Sequence, residues 1–303
     1  MNATPIDTVS FDPSRRDTIR AILQRKIADG ARHAAAVLAT IQNEAPRDQL
    51  LRARAAAFAV DDGARIRVGA DWYRPTDHAL GQVAERAGIP LPYLRELTAP
   101  AAAPWQHALA TDILTEHHSH AQDTRILARS VGGSLRGWLS DKYRRLDSRP
   151  LVEALADEAS QAGAVPIDGV ATETRVALKI VLPEILEPLP GEFLAYGGEW
   201  SNSDYGNGVH AFRIFAIRVA CLNGMTAENV LKQVHLGARL PDDIAFSERT
   251  HQLDTEASAS ALRDIVRSAL GPAARDRLVA NIRDAHERSM SKSELAGATR
   301  TLP

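Results

Sequence analysis

Arginine, lysine and tryptophan alternate with aliphatic residues in two β-prone stretches, a combination suited to gripping a polynucleotide. In residues 174–181, alternation puts Arg175, Ala177 and Lys179 on one face and Val176, Leu178 and Ile180 on the other. In residues 135–139, Arg136 and Trp138 share the face opposite Leu135 and Leu139. If both strands join one sheet, its polar face carries Arg136, Trp138, Arg175 and Lys179. A single nucleic-acid strand needs cations for its phosphates and aromatic surfaces for its bases, and that face supplies both.

Neighbouring segments enlarge the set. Residues 121–150 hold seven basic side chains against three acidic ones, which adds Lys142, Arg144 and Arg145. From residue 206 to residue 240, Arg213, Arg218, Lys232 and Arg239 face a single Glu228. Arg213 and Arg218 are five apart, so a regular strand sends them to opposite faces unless a bulge intervenes. A lone surface charge is usually just solvated. The accumulation across several elements is what points to binding.

Catalytic patterns are weaker. Asp141 and Asp147 are the acidic pair a metal-dependent nuclease would use, yet Arg144 and Arg145 between them are the simpler partners. His117, His118 and His120 sit at a helix end without a carboxylate or cysteine in metal-ligand spacing, so no metal residue is assigned. Cys221 follows an apolar run and reads as a core thiol. No Gly-x-x-x-x-Gly-Lys-Ser/Thr cradle occurs, and no cofactor or catalytic residue is assigned. Residues 79–97 have the outline of a helix-turn-helix, but the second helix starts on prolines and offers only Tyr93, Arg95 and Glu96 to bases. A packing hairpin of helices explains it better. Residues 201–208, Ser-Asn-Ser-Asp-Tyr-Gly-Asn-Gly, make a tight turn that could present amides and hydroxyls.

The elements that must position these residues follow from periodicity and caps. Helices are expected over 14–30, 31–44 and 47–58, the first closed by Gly30. A short hairpin covers 64–68 and 72–73. Thr76 caps a helix that Gly88 ends, and further helices cover 90–97 and 104–117. Residues 125–131 and 135–139 form a hairpin around Gly132-Gly133. A helix over 148–162, strands over 172–181, 193–200 and 209–222, and helices over 226–236, 256–270 and 273–289 complete the chain. The class is α+β: a central, mostly antiparallel sheet flanked by helices, with helical N- and C-terminal regions. The corresponding division is 1–60, 61–245 and 246–303.

Bulk properties bound the rest. The 303 residues carry a net charge of −2 and are 45% hydrophobic, which fits a globular chain and excludes a general polycation. With one cysteine, an intramolecular disulfide and a cysteine-rich zinc site are both excluded. The first residues lack the basic and apolar regions of a secretory signal, and apolar runs fall short of the roughly 20 residues that span a bilayer. A cytoplasmic protein without membrane contact is the expectation.

Several blocks in fixed order resemble the phage- and plasmid-associated group called domain of unknown function family 932. They are His78-Ala-Leu-Gly-Gln-Val-Ala-Glu-Arg-Ala-Gly-Ile-Pro90 with Tyr93-Leu94, and Leu139-Ser-Asp-Lys-Tyr-Arg-Arg-Leu-Asp147. Leu178-Lys-Ile-Val-Leu-Pro183, Ser201-Asn-Ser-Asp-Tyr-Gly206 and Cys221-Leu-Asn-Gly-Met225 follow. They span about half the chain and leave about 60 residues at each end uncovered. The resemblance implies a mobile-element protein in the host cytoplasm, and such gene company suggests DNA processing or recombination. Together with the cations it leads to one expectation: a phage-type, homo-oligomeric protein that binds single-stranded nucleic acid and supports annealing. The alternatives are a protein–protein interaction module acting on a host factor, and a metal-dependent nuclease.

Overall fold

The computed structural model describes residues 13–121, 124–218, 224–234 and 246–288. α1 (Pro13–Asn43) leads to β1 (Arg47–Arg52), β2 (Ala57–Val60), β3 (Ala64–Val68) and β4 (Asp71–Pro75). Three helices follow, α2 (Asp77–Ala87), α3 (Leu91–Thr98) and α4 (Pro104–His120), and then the hairpin β5 (Arg125–Val131) and β6 (Ser134–Ser140). α5 (Ser148–Gln161) precedes β7 (Val165–Ala171), β8 (Val176–Leu186), β9 (Leu194–Asn202), β10 (Val209–Arg218) and β11 (Gly224–Val234). α6 (Glu248–Leu270) and α7 (Pro272–Glu287) close the described chain.

The class is α+β with helices at both ends, and its β structure is divided between two sheets. The first runs β1-β5-β6-β4-β3-β2, and the second runs β11-β10-β9-β8-β7. Every described pairing is antiparallel except β4 with β6. One face of the first sheet packs Ile66, Tyr73, Ile126, Leu135 and Trp138 against Leu94, Leu97 and Leu114 of the helices. The second sheet is covered on both faces. Leu178, Trp200 and Phe212 meet Leu155 and Leu262 of α5 and α6 on one side, while Val181 and Phe215 meet Ile19 and Leu23 of α1 on the other.

Local signals place several elements as expected. Thr76 Oγ1 accepts from the Ala79 N–H at 3.2 Å, and Gly88 closes α2 in the left-handed conformation, φ 65°. Tertiary pairing overrides propensity elsewhere. The helix expected over 47–58 is instead β1, a 3₁₀ turn and β2, because residues 47–52 complete an edge of the first sheet opposite β5. Likewise the helix expected over 226–236 is strand through Val234, the last of its described residues: β11 pairs with β10 from Ile217↔Gly224 to Val209↔Val234.

Gly30 does not end a helix; α1 runs through it for 31 residues. Its buried stripe, Ile19, Leu23, Gly30, Ala34, Val37 and Ile41, keeps the helical spacing of three to four or their sums. α1 crosses the edge strand β7 at Gly30, where backbone meets backbone. Its first half covers one face of the second sheet and its second half covers the other.

Candidate functional site

The eight cation and indole positions do not form one strip. β6 belongs to the first sheet and β8 to the second, so Arg136 and Trp138 cannot share a face with Arg175 and Lys179. A bulge in β6 also breaks the alternation: Gly137 lies opposite Arg129, but the next pair is Leu135 with Ser130, leaving Arg136 as the extra residue. Leu135 and Trp138 therefore turn into the same core. Trp138 is 1% exposed, packed edge-on to Phe58 and His118, and offers no surface to a base.

The cations are largely committed to carboxylates. Arg136 bonds Glu44 and lies 5.8 Å from the Tyr205 ring centre. Arg144 grips Asp254 with two bonds of 2.6 and 2.7 Å, and Arg145 reaches Asp48 and Glu248 at 3.3 and 2.9 Å. Lys142 donates its backbone N–H to Ser140 Oγ, which fixes the turn after β6. Lys179 sits between Asp168 and Glu199 on adjoining strands, and Arg213 is the next neighbour of Glu199, so this row alternates in sign. Arg218 is at the strand end, on Glu192. Arg175 is exposed, and with Arg136 it lines a small cleft beside Thr174 and Tyr205. In that cleft expected residues from the two sheets meet.

The acidic and histidine clusters also disperse. Asp141 faces Arg125 and Asp147 faces Arg129. His118 is buried, and its Nδ1–H donates to the Leu114 carbonyl at 2.9 Å, while His117 and His120 are exposed. Among the described residues no group of three or more His, Cys, Asp or Glu is disposed to hold a metal. Cys221, His235 and Arg239 lie outside the described residues, and of Lys232 only the backbone is described. The helix pair α2–α3 is a packing unit: Leu94 and Leu97 are buried, and Arg95 is bound to Asp77.

Residues 139–147 and 201–208 instead interlock, together with Arg129 and Asp48, into an ionic junction between the sheets. Arg129 of β5, 1% exposed, donates to Asp48 at 2.7 Å, to Asp147 at 2.6 Å and to the Asp204 carbonyl at 2.7 Å. Asp204 accepts from the Ser148 N–H and hydroxyl at 2.9 and 2.7 Å, and Asn202 donates to it and to the Leu146 carbonyl. Tyr143 donates to the Ser203 carbonyl at 3.0 Å. The turn at 201–208 is thus the socket into which the start of α5 fits.

Burial pushes the Asp204 carboxyl up to about 6, against the pull of Arg129. A carboxyl raised in the fold holds its proton better there than in the unfolded chain. Its contribution to stability is therefore full below about pH 4 and is lost as pH rises through about 6. Asp204→Asn removes this dependence. Between pH 4 and 7 the variant should gain on the order of 2 kcal/mol relative to the native chain, read from urea unfolding at each pH. A pH-independent difference between the two proteins would refute it.

One water-facing surface does combine an indole with guanidiniums. On the open face of β2, β3 and β4, Trp72 of β4 is 44% exposed and lies directly across from Arg67 of β3. Arg65 lies over the Trp72 ring, 5.7 Å from its centre, and exposed Arg74 follows on the same side of β4. Ala57 and Ala59 of β2 floor the same face opposite Arg67 and Arg65. None of these residues was singled out by the sequence analysis. The signal was present: alternation about buried Ile66 and Tyr73 turns Arg65, Arg67, Trp72 and Arg74 outward.

Comparison of the chain with protein-family models, with curated proteins and with solved structures finds no match. The geometry therefore carries the functional argument by itself.

Proposed function

We propose that the chain is a non-catalytic binder of single-stranded nucleic acid acting in the cytoplasm, and that its contact surface is the open face of β2, β3 and β4. The observation that supports this is the exposed Trp72 ring bracketed by Arg65 above it and Arg67 across from it. Indole offers a base a stacking platform, and arginines on the same pleat suit the flanking phosphates. Arg67 has no carboxylate partner among the described residues, so its charge is available. No described helix is long and apolar enough to cross a membrane.

Trp72→Ala should weaken binding of a labelled oligothymidylate by about tenfold, since one base stack is worth about 1–3 kcal/mol. Arg67→Ala should make the log–log salt dependence shallower by about 0.7, the loss of one phosphate contact on a single strand. Fluorescence anisotropy over a salt series reads both. Native protein that fails to bind at low salt would discard the proposal. That outcome favours a protein-interaction module using the same face, because tryptophan and arginine also dominate protein interfaces.

A further inference from the structure

The Trp72 face carries its own anions. The turn between β2 and β3 is Asp61-Asp62-Gly63, and both of its carboxylates fold onto the arginines of that face. Asp61 bonds Arg65, four residues on, and its other oxygen accepts from the Asp62 N–H at 2.7 Å. Arg74 reaches the Asp62 carbonyl at 3.0 Å and the Asp62 carboxylate at 3.4 Å. Arg65 Nε is left buried without an acceptor, so the carboxylate does not fill the guanidinium fork. Arg67, two residues along β3 from Arg65 and across from Trp72, has no such partner among the described residues.

We propose that the Asp61–Asp62 turn stands in for two backbone phosphates, and that a polynucleotide binds by displacing these carboxylates from Arg65 and Arg74. The inference rests on the reading of this face as a nucleic-acid surface. Carboxylates and phosphates use the same guanidinium fork, so the two anions compete for one position. Ion pairs this exposed contribute only about 0–1 kcal/mol, so the turn is held weakly enough to be exchanged. A partner must then deliver at least two phosphates along an extended strand. A free base or a lone nucleotide stacks on Trp72 without opening the turn.

The test is the double substitution Asp61→Asn with Asp62→Asn. Asparagine suits the turn and keeps the oxygen that accepts from the residue 62 N–H. Anisotropy with oligothymidylate over a salt series should show about tenfold tighter binding at low salt. The log–log slope should steepen by up to about 1.4, because in the native chain the two freed carboxylates take up cations as the two phosphates release theirs, and the variant has no carboxylate there to free. Glu153→Gln with Asp157→Asn on α5, both exposed and remote in sequence, removes the same formal charge and should leave the slope unchanged. If both double variants bind equally with native slope, only net charge matters and the phosphate-mimic idea is wrong while the binding face stands. If neither the native protein nor the Asp61/Asp62 variant binds at low salt, the face is not a nucleic-acid surface and both readings fall.

Discussion

Arg129→Met should lower the free energy of unfolding by about 3–5 kcal/mol, the usual cost of breaking a buried pair by removing one partner. Methionine fills much of the same volume, so a cavity is not the main loss. The loss comes from the acceptors left behind. Asp48, Asp147 and the Asp204 carbonyl each take a bond from this guanidinium, and it is 1% exposed. Burial alone would depress the arginine, yet Asp147, Asp48 and Asp204 together hold it well above its ordinary range, so it is charged at every working pH. Lysine at 129 keeps the charge but cannot reach three acceptors from one ammonium, and should recover only part of the loss. Urea unfolding measures these effects. Adding Asp147→Asn to Arg129→Met should restore less than about 1 kcal/mol, because the Asp147 side chain is 43% exposed and water solvates its carboxylate once the arginine is gone. A single-variant loss below about 1 kcal/mol would mean the junction is already solvated and the account is wrong.

That junction also shows what the sequence could and could not convey. Thr76, Gly88 and the Gly132-Gly133 turn act within a few residues, so their roles are readable from local rules. Arg129 acts on Asp48, 81 residues away, and Arg144 on Asp254, 110 residues away. No spacing rule connects such partners, so arginines that looked available are committed. Trp138 is a finer case. Its alternation was sound for a regular strand, but the single extra residue at Arg136 turns the indole inward. Where no described bulge intervenes, as in β3 and β4, alternation does place Arg65, Arg67, Trp72 and Arg74 correctly. The same divide explains β1 and β11, whose strand character comes from β5 and β10 as ladder partners and not from their own composition.

Gly30→Ala is the complementary expectation, because intrinsic propensity and tertiary contact demand opposite signs. In an exposed helix interior, alanine is better than glycine by about 0.8–1.0 kcal/mol. A Cβ at position 30, however, would lie 2.0 Å from the Ile167 carbonyl carbon and 2.2 Å from its Cα. Those atoms are the backbone of β7, so no rotamer change can yield. α1 must lift from the strand, and the separation is felt on both sides of the crossing, at Ile19 and Leu23 and at Val37 and Ile41. A net loss of about 3 kcal/mol is expected, at the upper end of ordinary overpacking. Ala28→Gly, at an exposed position of the same helix, should cost about 1 kcal/mol and thereby verify that propensity still operates there. Ile167→Ala cannot rescue Gly30→Ala, since the obstruction is main chain. If Gly30→Ala unfolds at the same or higher denaturant concentration than the native chain, α1 does not rest on β7 at that residue. The helix would then have to reach its two hydrophobic faces by another path.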